Sequence, residues 1–215
     1  MFINADTSTV HVHDRTEELP PDLVARFAHA ASTLVGDAMG RFGLMDSGIS
    51  ALDGRARCAG RALTVLTREG DNLAIHVALD HAEPGDVLII DAQGGSARAV
   101  FGDLLAEICM TRGIAGVIID GLSRDAAAIS DLGLAVWARG LSPAGPFKNG
   151  PGAVGAPVAC GGVVVNPGDL IVADADGVAV IPAGRIAAVA REVERLEAAE
   201  DRLRARIRNS KGERP

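Results

Sequence analysis

The sequence predicts an α/β domain with a mixed sheet and a long C-terminal helix, and three observations support this. Of the 215 residues, 48% are apolar but only 3% are aromatic and tyrosine is absent, so aliphatic side chains must fill the core between layers of helices and strands. β-Branched apolar runs alternate with helical segments in the middle of the chain, which is typical of parallel strands joined by helices. Shorter β runs separated by turn residues follow, and they favour antiparallel pairing.

Helices are predicted where a cap residue precedes apolar residues on one face. Pro20-Pro21 before Asp22 marks the start of the first helix, Ser32-Thr33 forms the N-cap of the second helix, and Asp71 caps the third helix. The C-terminal helix has apolar residues at three- and four-residue spacing, and this seam needs a partner, either another subunit or the body of its own domain. The predicted helices are 22–30, 32–39, 72–81, 103–112, a short one after Asp125, and 183–208.

Strands are predicted in runs of β-branched and aliphatic residues. The runs 87–90 and 115–119 flank a helix, so they form one βαβ unit with a buried parallel pair. The segment 142–157 is rich in proline and glycine and is expected to be an irregular loop, while the turns 166–169 and 174–177 predict antiparallel connections. The predicted strands are 57–67, 87–90, 115–119, 134–138, 158–165, 170–173 and 178–181.

Charge, leader pattern and cysteine content narrow the class of protein. Twenty-one basic and 28 acidic residues give a net charge of −7, which opposes a broad phosphate-binding surface and favours small ligands or protein partners over nucleic acid. The first residues lack a signal-peptide pattern and no run is long enough to span a bilayer, so we expect a cytoplasmic protein. Cys58, Cys109 and Cys160 are far apart, which fits buried free thiols better than disulfides.

The stretch 91–125 carries most of the candidate chemistry. It contains two loops, 91–102 and 121–124, and each follows an apolar run and ends where a helix is expected to begin. Ligands of open α/β sheets bind at the carboxyl ends of strands, where helix N-termini present N–H groups and a positive dipole end. An anion and metal site is therefore expected, built from Gly102, Asp103, Arg124 and Asp125.

Each of these residues also has a simpler structural interpretation. Asp103 is an ordinary N-cap residue, and from the residues alone capping is the favoured account, although the N–H groups of Leu104 and Leu105 point back into the loop. Asp125 is likewise able to cap the helix that follows it. Arg124 offers a planar fork for a carboxylate or enolate oxygen, and one carboxylate plus waters is a common Mg²⁺ arrangement.

Other polar residues are better explained by structure. His11 and His13 share one side of an extended segment, but a disordered or edge segment near the terminus is the favoured interpretation. His76 is interpreted as a satisfied surface histidine. Asp174 and Asp176 suit a hairpin turn rather than a calcium loop, because apolar residues follow and no glutamate closes the loop. The GxGxxG, GxxxxGK[ST] and GxSxG motifs are absent from the sequence, so the corresponding nucleotide and serine-hydrolase sites are not supported.

Four longer stretches carry a family resemblance: GDNLAIHVALDHAEPGDVLIID at 70–91, FGDLLAEICMTRGIAGVIIDGLSRD at 101–125, ARGLSPAGPFKNGPG at 138–152 and NPGDLIVADADGVAVIP at 166–182. Together they resemble the RraA-like family, which includes the class II 4-hydroxy-4-methyl-2-oxoglutarate/4-carboxy-4-hydroxy-2-oxoadipate aldolases. The resemblance implies a compact α/β/β layered domain of the swivelling-domain type that forms homotrimers, sometimes paired into hexamers. The expected division is an N-terminal extension with the first helix (1–31), a catalytic domain (32–182), and a C-terminal amphipathic helix with its tail (183–215).

The resemblance also implies a role for each residue of the two loops. Arg124 is expected to bind the pyruvyl group and Asp125 to bind Mg²⁺, Mn²⁺ or another divalent cation. The backbone amides of residues 102–105 are expected to hold the pyruvate carboxylate, while Asp103 hydrogen-bonds a metal-bound water. The implied reaction is cleavage of a 4-hydroxy-2-oxo acid or diacid to pyruvate through a metal-stabilised enolate, with oxaloacetate decarboxylation as a side activity. The implied partner is a small 2-oxo acid, without direct nucleic-acid or membrane binding.

Two departures keep other functions open. Aldolases of the family draw an acidic residue from late in a neighbouring chain toward the metal, and Ala153 stands where many close relatives carry an acid, which indicates a different substrate end. The name-giving RraA proteins are inhibitors of an RNA-degrading endonuclease, and they share the trimeric fold. A metal-dependent enzyme acting on another 2-oxo or sugar acid is a third alternative, indicated by His76, Lys148 and Ala153.

Overall fold

The structure of the chain is a computed structural model that describes residues 5–15 and 19–210, so 1–4 and 16–18 of the expected extension and 211–215 of the expected tail lie outside the described residues. The helices are α1 (Pro21–Ala25), α2 (Ser32–Ala38), α3 (Leu73–Asp80), α4 (Asp103–Arg112), α5 (Ala126–Leu132) and α6 (Ile186–Ser210), the last preceded by a 3-10 turn, Ala183–Arg185. The strands are β1 (Val10–Val12), β2 (Ser50–Ala51), β3 (Cys58–Thr67), β4 (Asp86–Asp91), β5 (Ala99–Phe101), β6 (Gly116–Ser123), β7 (Val136–Leu141), β8 (Gly152–Val154), β9 (Val158–Cys160), β10 (Val163–Val165), β11 (Leu170–Asp174) and β12 (Gly177–Ile181).

The predicted mixed sheet is confirmed. Its centre is the parallel order β3, β4, β6, β7, and Asp91 at the end of β4 lies opposite Asp120 of β6. The ten-residue β3 has two antiparallel partners, β11 along its first half and β8 along its second half. Strand β1 extends the sheet beyond β8 and β12 pairs with β11, while β2 and β5 pair with β7 and β6. The parallel centre places the ends of β4, β5 and β6 together.

Aliphatic side chains fill the core on both faces of this sheet, as the composition predicts. Helices α3, α4 and α5 cover one face. The β9–β10 hairpin and β12 cover the other face around Trp137, the single tryptophan, whose Nε1 donates to the Asp174 carbonyl at 2.9 Å. A third cluster joins α2 and α6 to β11 and β12. The result is a helix layer, a main sheet and a second layer built largely from β hairpins.

The long C-terminal helix is confirmed, and its apolar seam has two parts. Ile186, Val189 and Val193 are buried against α2, β11 and β12 of the same chain, so the first half of the seam packs on its own domain. Leu203 and Ile207 in the second half are 49% and 53% exposed. Within the described ranges, none of the helices is long and apolar enough to cross a membrane.

Several predicted strands are corrected by contacts that are remote in sequence. The expected loop 91–102 contains a strand, β5, because residues 99–101 pair with the end of β6. The expected loop 142–157 contains β8, which pairs with β1 and β3. The run 158–165 forms the β9–β10 hairpin instead of one strand, since Gly161 and Gly162 have positive φ values of 56° and 76° that favour a turn. The turn 174–177 joins an antiparallel pair as predicted, whereas 166–169 joins two strands that are not partners.

The first two helix predictions also need correction. The expected helix 22–30 ends at Ala25 and is a single short segment, α1. Ser32 is not an N-cap residue, because it already lies within α2 and its Oγ and backbone N–H both donate to the Asp174 carboxylate, at 2.6 and 2.9 Å. Asp71 does cap its helix as predicted, since its Oδ1 accepts the Leu73 N–H at 2.9 Å.

Candidate active site

Two strand ends bring the two predicted loops together. Strand β5 runs parallel to the end of β6. The first predicted loop, 91–102, therefore contains β5, and Gly102 directly follows this strand. The Arg124 backbone N–H and the Ser123 hydroxyl both donate to the Phe101 carbonyl, at 2.9 and 3.2 Å. Gly102 and Arg124 are therefore fixed beside each other, and each stands close to the start of a helix, α4 or α5.

A side chain at Gly102 would displace two neighbouring side chains from their present positions. The backbone of Gly102 is extended, with φ −156°, so its conformation alone does not select glycine. A Cβ at this position would lie 2.7 Å from Asp125 Oδ2 and 2.9 Å from Arg124 Nε, and a Cβ at Gly145 would lie 2.9 Å from Arg124 Nη1. The missing side chains create a slot in which the guanidinium is held between two stretches of backbone. We call this the Gly102 slot, comprising Gly102, Arg124 and Asp125.

Asp125 does not use its carboxylate as a helix cap, although it occupies the N-cap position of α5. Its backbone is left-handed, with φ 57° and ψ 36°, which is uncommon for a residue with a side chain. No hydrogen bond joins its side chain to the first turn of α5. Instead Oδ2 lies 3.1 Å from Arg124 Nε and 3.5 Å from the Asp103 backbone nitrogen. The side chain is 38% exposed, so the carboxylate is accessible to a cation.

The N-terminus of α4 is already occupied by a carboxylate. Gly102, and not Asp103, is the N-cap residue of this helix. Asp103 Oδ1 accepts the Leu104 N–H at 2.8 Å, so one donor expected for a substrate carboxylate is held by the chain itself. The Leu104 side chain is 66% exposed, whereas Leu105 is buried. A ligand carboxylate reaches the Leu104 N–H only when the Asp103 side chain turns away.

The slot opens onto a cavity of 460 Å³, a size within the usual range for small-molecule sites, roughly 300–1,000 Å³. Arg124 and residues 100–105 form one part of its wall, and the exposed face of α4 continues it. The rest comes from α3 and from the loop after β7, which supply Asn72, His76, Pro146 and Lys148. Asp125 lies beside the guanidinium, outside this lining. The predicted site residues are thus close together, and Asp125 is the one that does not line the cavity.

His76 is buried, which corrects its interpretation as a surface histidine. It is only 8% exposed, and it lies on α3 at the wall of the cavity. Its Nε2 has no hydrogen-bond partner in the described ranges 5–15 and 19–210. Burial, with a smaller contribution from the positive charge of Lys148, lowers the pKa of His76 to about 4. The imidazole is therefore neutral at pH 7 and has an unused polar atom.

The donor set suits a hard cation that keeps most of its waters. In the part of the chain that the structure describes, no three His, Cys, Asp or Glu side chains are grouped as a metal cage of protein ligands alone. Mg²⁺ characteristically binds through one or two carboxylates together with waters and substrate oxygens, whereas structural zinc uses four protein ligands. Asp125, half exposed and next to a ligand cavity, fits the first arrangement.

A second arginine–aspartate pair, absent from the sequence predictions, lies under the β9–β10 hairpin. Asp120 is 7% exposed and accepts hydrogen bonds from Arg139 Nε, from Arg139 Nη2 at 3.1 Å and from the Gly161 backbone N–H at 2.7 Å. Arg139 also pairs with Asp46 at 3.0 Å. These hydrogen bonds raise the pKa of Arg139 above its ordinary value. The pair links β6, β7 and the hairpin, so it serves the fold.

The remaining candidates behave as structural residues. His11 lies in the edge strand β1 and His13 directly follows it, and both are exposed, which agrees with the edge-segment interpretation. Ala153 lies within β8 and does not line the cavity. All three cysteines are buried and free, as predicted. Asp174 and Asp176 belong to the hairpin turn between β11 and β12.

Asn72 and Pro146 are cavity residues that sequence reasoning missed. They are remote in sequence, and backbone hydrogen bonds bring their segments together: the Phe147 N–H donates to the Gly70 carbonyl at 2.8 Å, and the Asn72 N–H donates to the Phe147 carbonyl at 3.0 Å. Both segments lie within stretches that carry the family resemblance. That resemblance is the one feature of the sequence that could have indicated these two residues.

Comparison with known proteins places this site within a family. The RraA-like model, described as Aldolase/RraA, matches residues 31–180. A protein of Halalkalibacterium halodurans named "Putative 4-hydroxy-4-methyl-2-oxoglutarate aldolase" is 40% identical over 185 residues, covering 86% of this chain and 88% of that protein. A Shewanella oneidensis protein of the same name is 36% identical over 163 residues, covering 76% of this chain and 92% of that protein.

A solved structure shares the fold. Streptomyces coelicolor RraAS2, described as an unusual member of the RNase ES inhibitor RraA protein family, aligns with a TM-score of 0.80 at 31% identity, covering 88% of this chain and 98% of that chain. The span 31–180 that matches the family model includes the Gly102 slot and every residue that lines the cavity. The chain is therefore a member of the RraA-like family.

Proposed function

We propose that this protein is a divalent-metal-dependent aldolase that cleaves a 4-hydroxy-2-oxo diacid and releases pyruvate. The observation that carries the proposal is the Gly102 slot, which seats a guanidinium and an accessible carboxylate against the N-terminus of α4 at the wall of a cavity. A developing enolate needs fixed positive charge and hydrogen-bond donors at one point. The names of the two relatives, at 40% and 36% identity, support the same reaction class.

Substrate binding begins at the start of α4. The backbone N–H groups of residues 102–105 and the positive end of the helix dipole suit the C1 carboxylate of a 2-oxo acid. When this carboxylate takes the Leu104 N–H, the Asp103 side chain is released from it. The Arg124 guanidinium, held in the slot and facing the cavity, donates to the 2-oxo oxygen. The pyruvyl half is thereby oriented before any bond breaks.

Cleavage breaks the bond between C3 and C4 of the substrate. The C4 hydroxyl loses its proton as C4 becomes a carbonyl, and the bonding electron pair moves through C3 and C2 onto the 2-oxo oxygen to give an enolate. The hydrogen bond from Arg124 strengthens as charge grows on that oxygen, which is the condition for accelerating the step. Released Asp103 accepts the hydroxyl proton through a water, and protonation of C3 then completes pyruvate.

Asp125 would hold Mg²⁺, Mn²⁺ or another divalent cation, and Asp103 would hydrogen-bond a water of that cation. The bound cation supplies positive charge that polarises the 2-oxo group and favours the enolate. Loss of CO₂ from oxaloacetate produces the same enolate on the same donors, so an oxaloacetate decarboxylase activity is part of the proposal. A homotrimer or hexamer in the cytoplasm is proposed as well.

The test is pyruvate release from oxaloacetate and from 4-hydroxy-4-methyl-2-oxoglutarate, with Mg²⁺ or with EDTA. Turnover of at least one compound is expected with Mg²⁺, and its loss is expected with EDTA. Arg195→Ala is the matched control for Arg124→Ala and should keep the turnover, because it removes one exposed arginine of α6 that does not line the cavity. A folded protein that turns over neither compound with Mg²⁺ or Mn²⁺ would contradict the proposal.

The similarity to RraAS2 favours a second candidate function, inhibition of an RNA-degrading endonuclease. A net charge of −7 suits docking on a basic RNA-binding surface. The corresponding assay measures binding to an RNase E-type endonuclease and the rate of RNA cleavage. Stable binding with slower cleavage, in a protein that lacks aldolase turnover, would replace the first proposal by this one. Failure to associate would remove the second candidate.

A further inference from the structure

The second half of helix α6 extends beyond the body of the domain. The first half packs on α2, β11 and β12 through Ile186, Val189 and Val193. In contrast, every residue from 197 to 209 is exposed or only partly buried. We call residues 197–210 the α6 overhang. A helical segment of this length is marginally stable by itself in water, so a partner along its apolar side would stabilise it.

The overhang has an apolar side. Leu203 and Ile207 continue the three- and four-residue spacing of the buried half, and they are 49% and 53% exposed. Counted as a heptad, position a falls at 193, 200 and 207, and position d falls at 196 and 203. Apolar residues at positions a and d are typical of helices that pack along another helix. The overhang therefore presents an apolar seam to a second helix.

Glu200 interrupts this seam between Leu196 and Leu203. Its Oε2 accepts a hydrogen bond from Arg204 Nη2 at 2.9 Å, so its charge is compensated within the helix. A polar residue at position a or d lowers the stability of a coiled coil. The seam therefore suits a weak and reversible contact better than a permanent one.

Charge changes sign along the overhang. Acidic residues come first and arginines follow: Glu197, Glu200 and Asp201, then Arg202, Arg204, Arg206 and Arg208. Two copies that lie side by side in the same direction place acid beside acid and arginine beside arginine. Two copies in opposite directions place the acidic part of each beside the basic part of the other, which is electrostatically favourable. The overhang is thus complementary to itself in the antiparallel orientation.

Glu197 and Arg204 lie where they would meet a partner helix. Both take position e of the heptad, which flanks the apolar seam. In an antiparallel pair, position e of one helix lies opposite position e of the other. Glu197 of each copy then faces Arg204 of the partner subunit, and the contact occurs twice because the pair has two-fold symmetry. In a parallel pair, position e lies opposite position g, and Glu197 would meet a like charge, Glu192.

We infer that the α6 overhang binds the overhang of a second copy of this chain in an antiparallel pair. Leu203 and Ile207 supply the apolar contact, and Glu197 and Arg204 select the orientation. Such a pair joins two chains or two trimers, because helices related by a three-fold axis cannot run in opposite directions. The inference is independent of the proposed function, since these four residues do not line the cavity.

Charge reversal tests the orientation. Sedimentation velocity over a concentration series measures the self-association of the whole chain, which is expected to weaken at about 1 M NaCl, where the Debye length is about 3 Å. Glu197→Arg and Arg204→Glu each place like charges at both contacts and are expected to weaken association roughly tenfold. The double variant Glu197→Arg/Arg204→Glu should restore association, and so should an equimolar mixture of the two single variants.

Disulfide formation tests which residues are close together. The three native cysteines are buried. Glu197→Cys and Arg204→Cys, each oxidised alone with diamide, should form no disulfide between chains, because like positions of an antiparallel pair would lie about 10 Å apart along the helix axis at 1.5 Å per residue. The mixture of the two variants should form the 197–204 disulfide, which peptide mass spectrometry identifies.

Arg195→Glu is the control for charge reversal. It reverses an exposed charge of α6 outside the overhang, at position c, and should leave association unchanged. If the overhang packed instead on the body of a neighbouring chain, the two single reversals would not restore each other in the mixture and the mixed disulfide would not form. Either result would overturn the inference, and so would a wild type whose size is independent of concentration.

Discussion

Two arginine–aspartate pairs stand near the end of the same strand, β6, and they differ in how fully their hydrogen bonds are used. Asp120 is buried and accepts three hydrogen bonds, two from Arg139 and one from a backbone N–H. Asp125 is 38% exposed and has left-handed backbone, and its Oδ2 contacts Arg124 Nε at 3.1 Å and the Asp103 backbone nitrogen at 3.5 Å. The first pair joins β6, β7 and the β9–β10 hairpin, whereas Arg124 of the second pair lines a cavity.

The difference separates a structural ion pair from one that is prepared for a ligand. A buried pair whose partners are all present supports the fold, and removal of one partner leaves an uncompensated charge. An exposed pair contributes little to folding. Under the proposed function, the left-handed backbone of Asp125 and the close approach of side chains at Gly102 keep an accessible carboxylate beside a guanidinium, which suits substrate and metal. Substitutions in the two pairs, at Gly102 and at His76 test this contrast, in order of decreasing effect.

Arg124→Ala should have the largest effect, and it should be on activity. Loss of one donor to the developing enolate is expected to lower kcat/KM by roughly 10² to 10³. Because the side chain is 36% exposed and its ion pair is weak, the free energy of unfolding should change by less than about 1 kcal/mol. Steady-state kinetics and urea denaturation measure the two quantities. Full activity in this variant would exclude the assigned role of Arg124.

Asp120→Ala should show the opposite pattern. It leaves Arg139 and the Gly161 N–H without their buried acceptor, and the expected loss of unfolding free energy is about 3 kcal/mol, the low end of the range because Arg139 is partly exposed. Asp125→Asn is the matched comparison, since asparagine tolerates left-handed backbone and should change stability by less than about 1 kcal/mol. Equal losses in the two variants would remove the distinction between the pairs.

Gly102→Ala tests the slot itself. The new Cβ would lie 2.7 Å from Asp125 Oδ2 and 2.9 Å from Arg124 Nε, so the pair must shift. Activity should fall by on the order of tenfold, because misplacement of positioned groups weakens transition-state contacts. Gly54→Ala is the control, since a Cβ there meets nothing within 4 Å. If the two variants had the same kcat/KM, the close approach at Gly102 would have no functional meaning.

Substitution of His76 should have a smaller effect on stability, and this effect should depend on pH. Burial lowers its pKa from 6.5 to about 4, so the unfolded chain binds the proton more readily than the folded one. The unfolding free energy is therefore unaffected by this group above pH 6.5 and falls as the pH drops toward 4, by at most about 1.4 kcal/mol per pH unit. When the pH is lowered from 7 to 5.5, the free energy of unfolding measured by urea denaturation should fall by about 1 kcal/mol less in His76→Gln than in the wild type. Equal losses would show that the histidine is not buried in its neutral form.

The sequence predicts features that depend on local signals. The helix 103–112 is found with its bounds unchanged, because Gly102 and Asp103 mark its start and Gly113, with φ 71°, ends it in the left-handed conformation that glycine favours. The turn at 174–177 is likewise correct, since its residues carry the turn preference themselves. The family resemblance added the separate roles of Arg124 and Asp125, which local patterns alone did not favour over helix capping.

Features set by contacts remote in sequence were not predictable in this way. Strand β5 is three residues long and depends on its pairing with β6, so the sequence alone predicts a loop there. Asp120 meets Arg139 only because β6 and β7 pair in a particular register, which no single stretch reveals. His76 had a local signal that was overlooked: it lies within LAIHVALD, a helix whose other side chains are apolar up to the closing aspartate, and such a segment is buried on most sides.

We propose that the Gly102 slot stabilises a pyruvate enolate with the help of a cation on Asp125. The most direct measurement is the exchange of pyruvate methyl protons with deuterated water, followed by NMR with Mg²⁺ or EDTA. The wild type is expected to exchange the methyl protons with Mg²⁺, and this exchange is expected to be lost both with EDTA and in Asp125→Asn. Exchange that continues in Asp125→Asn at the wild-type rate, or that is equally fast with EDTA, would contradict it.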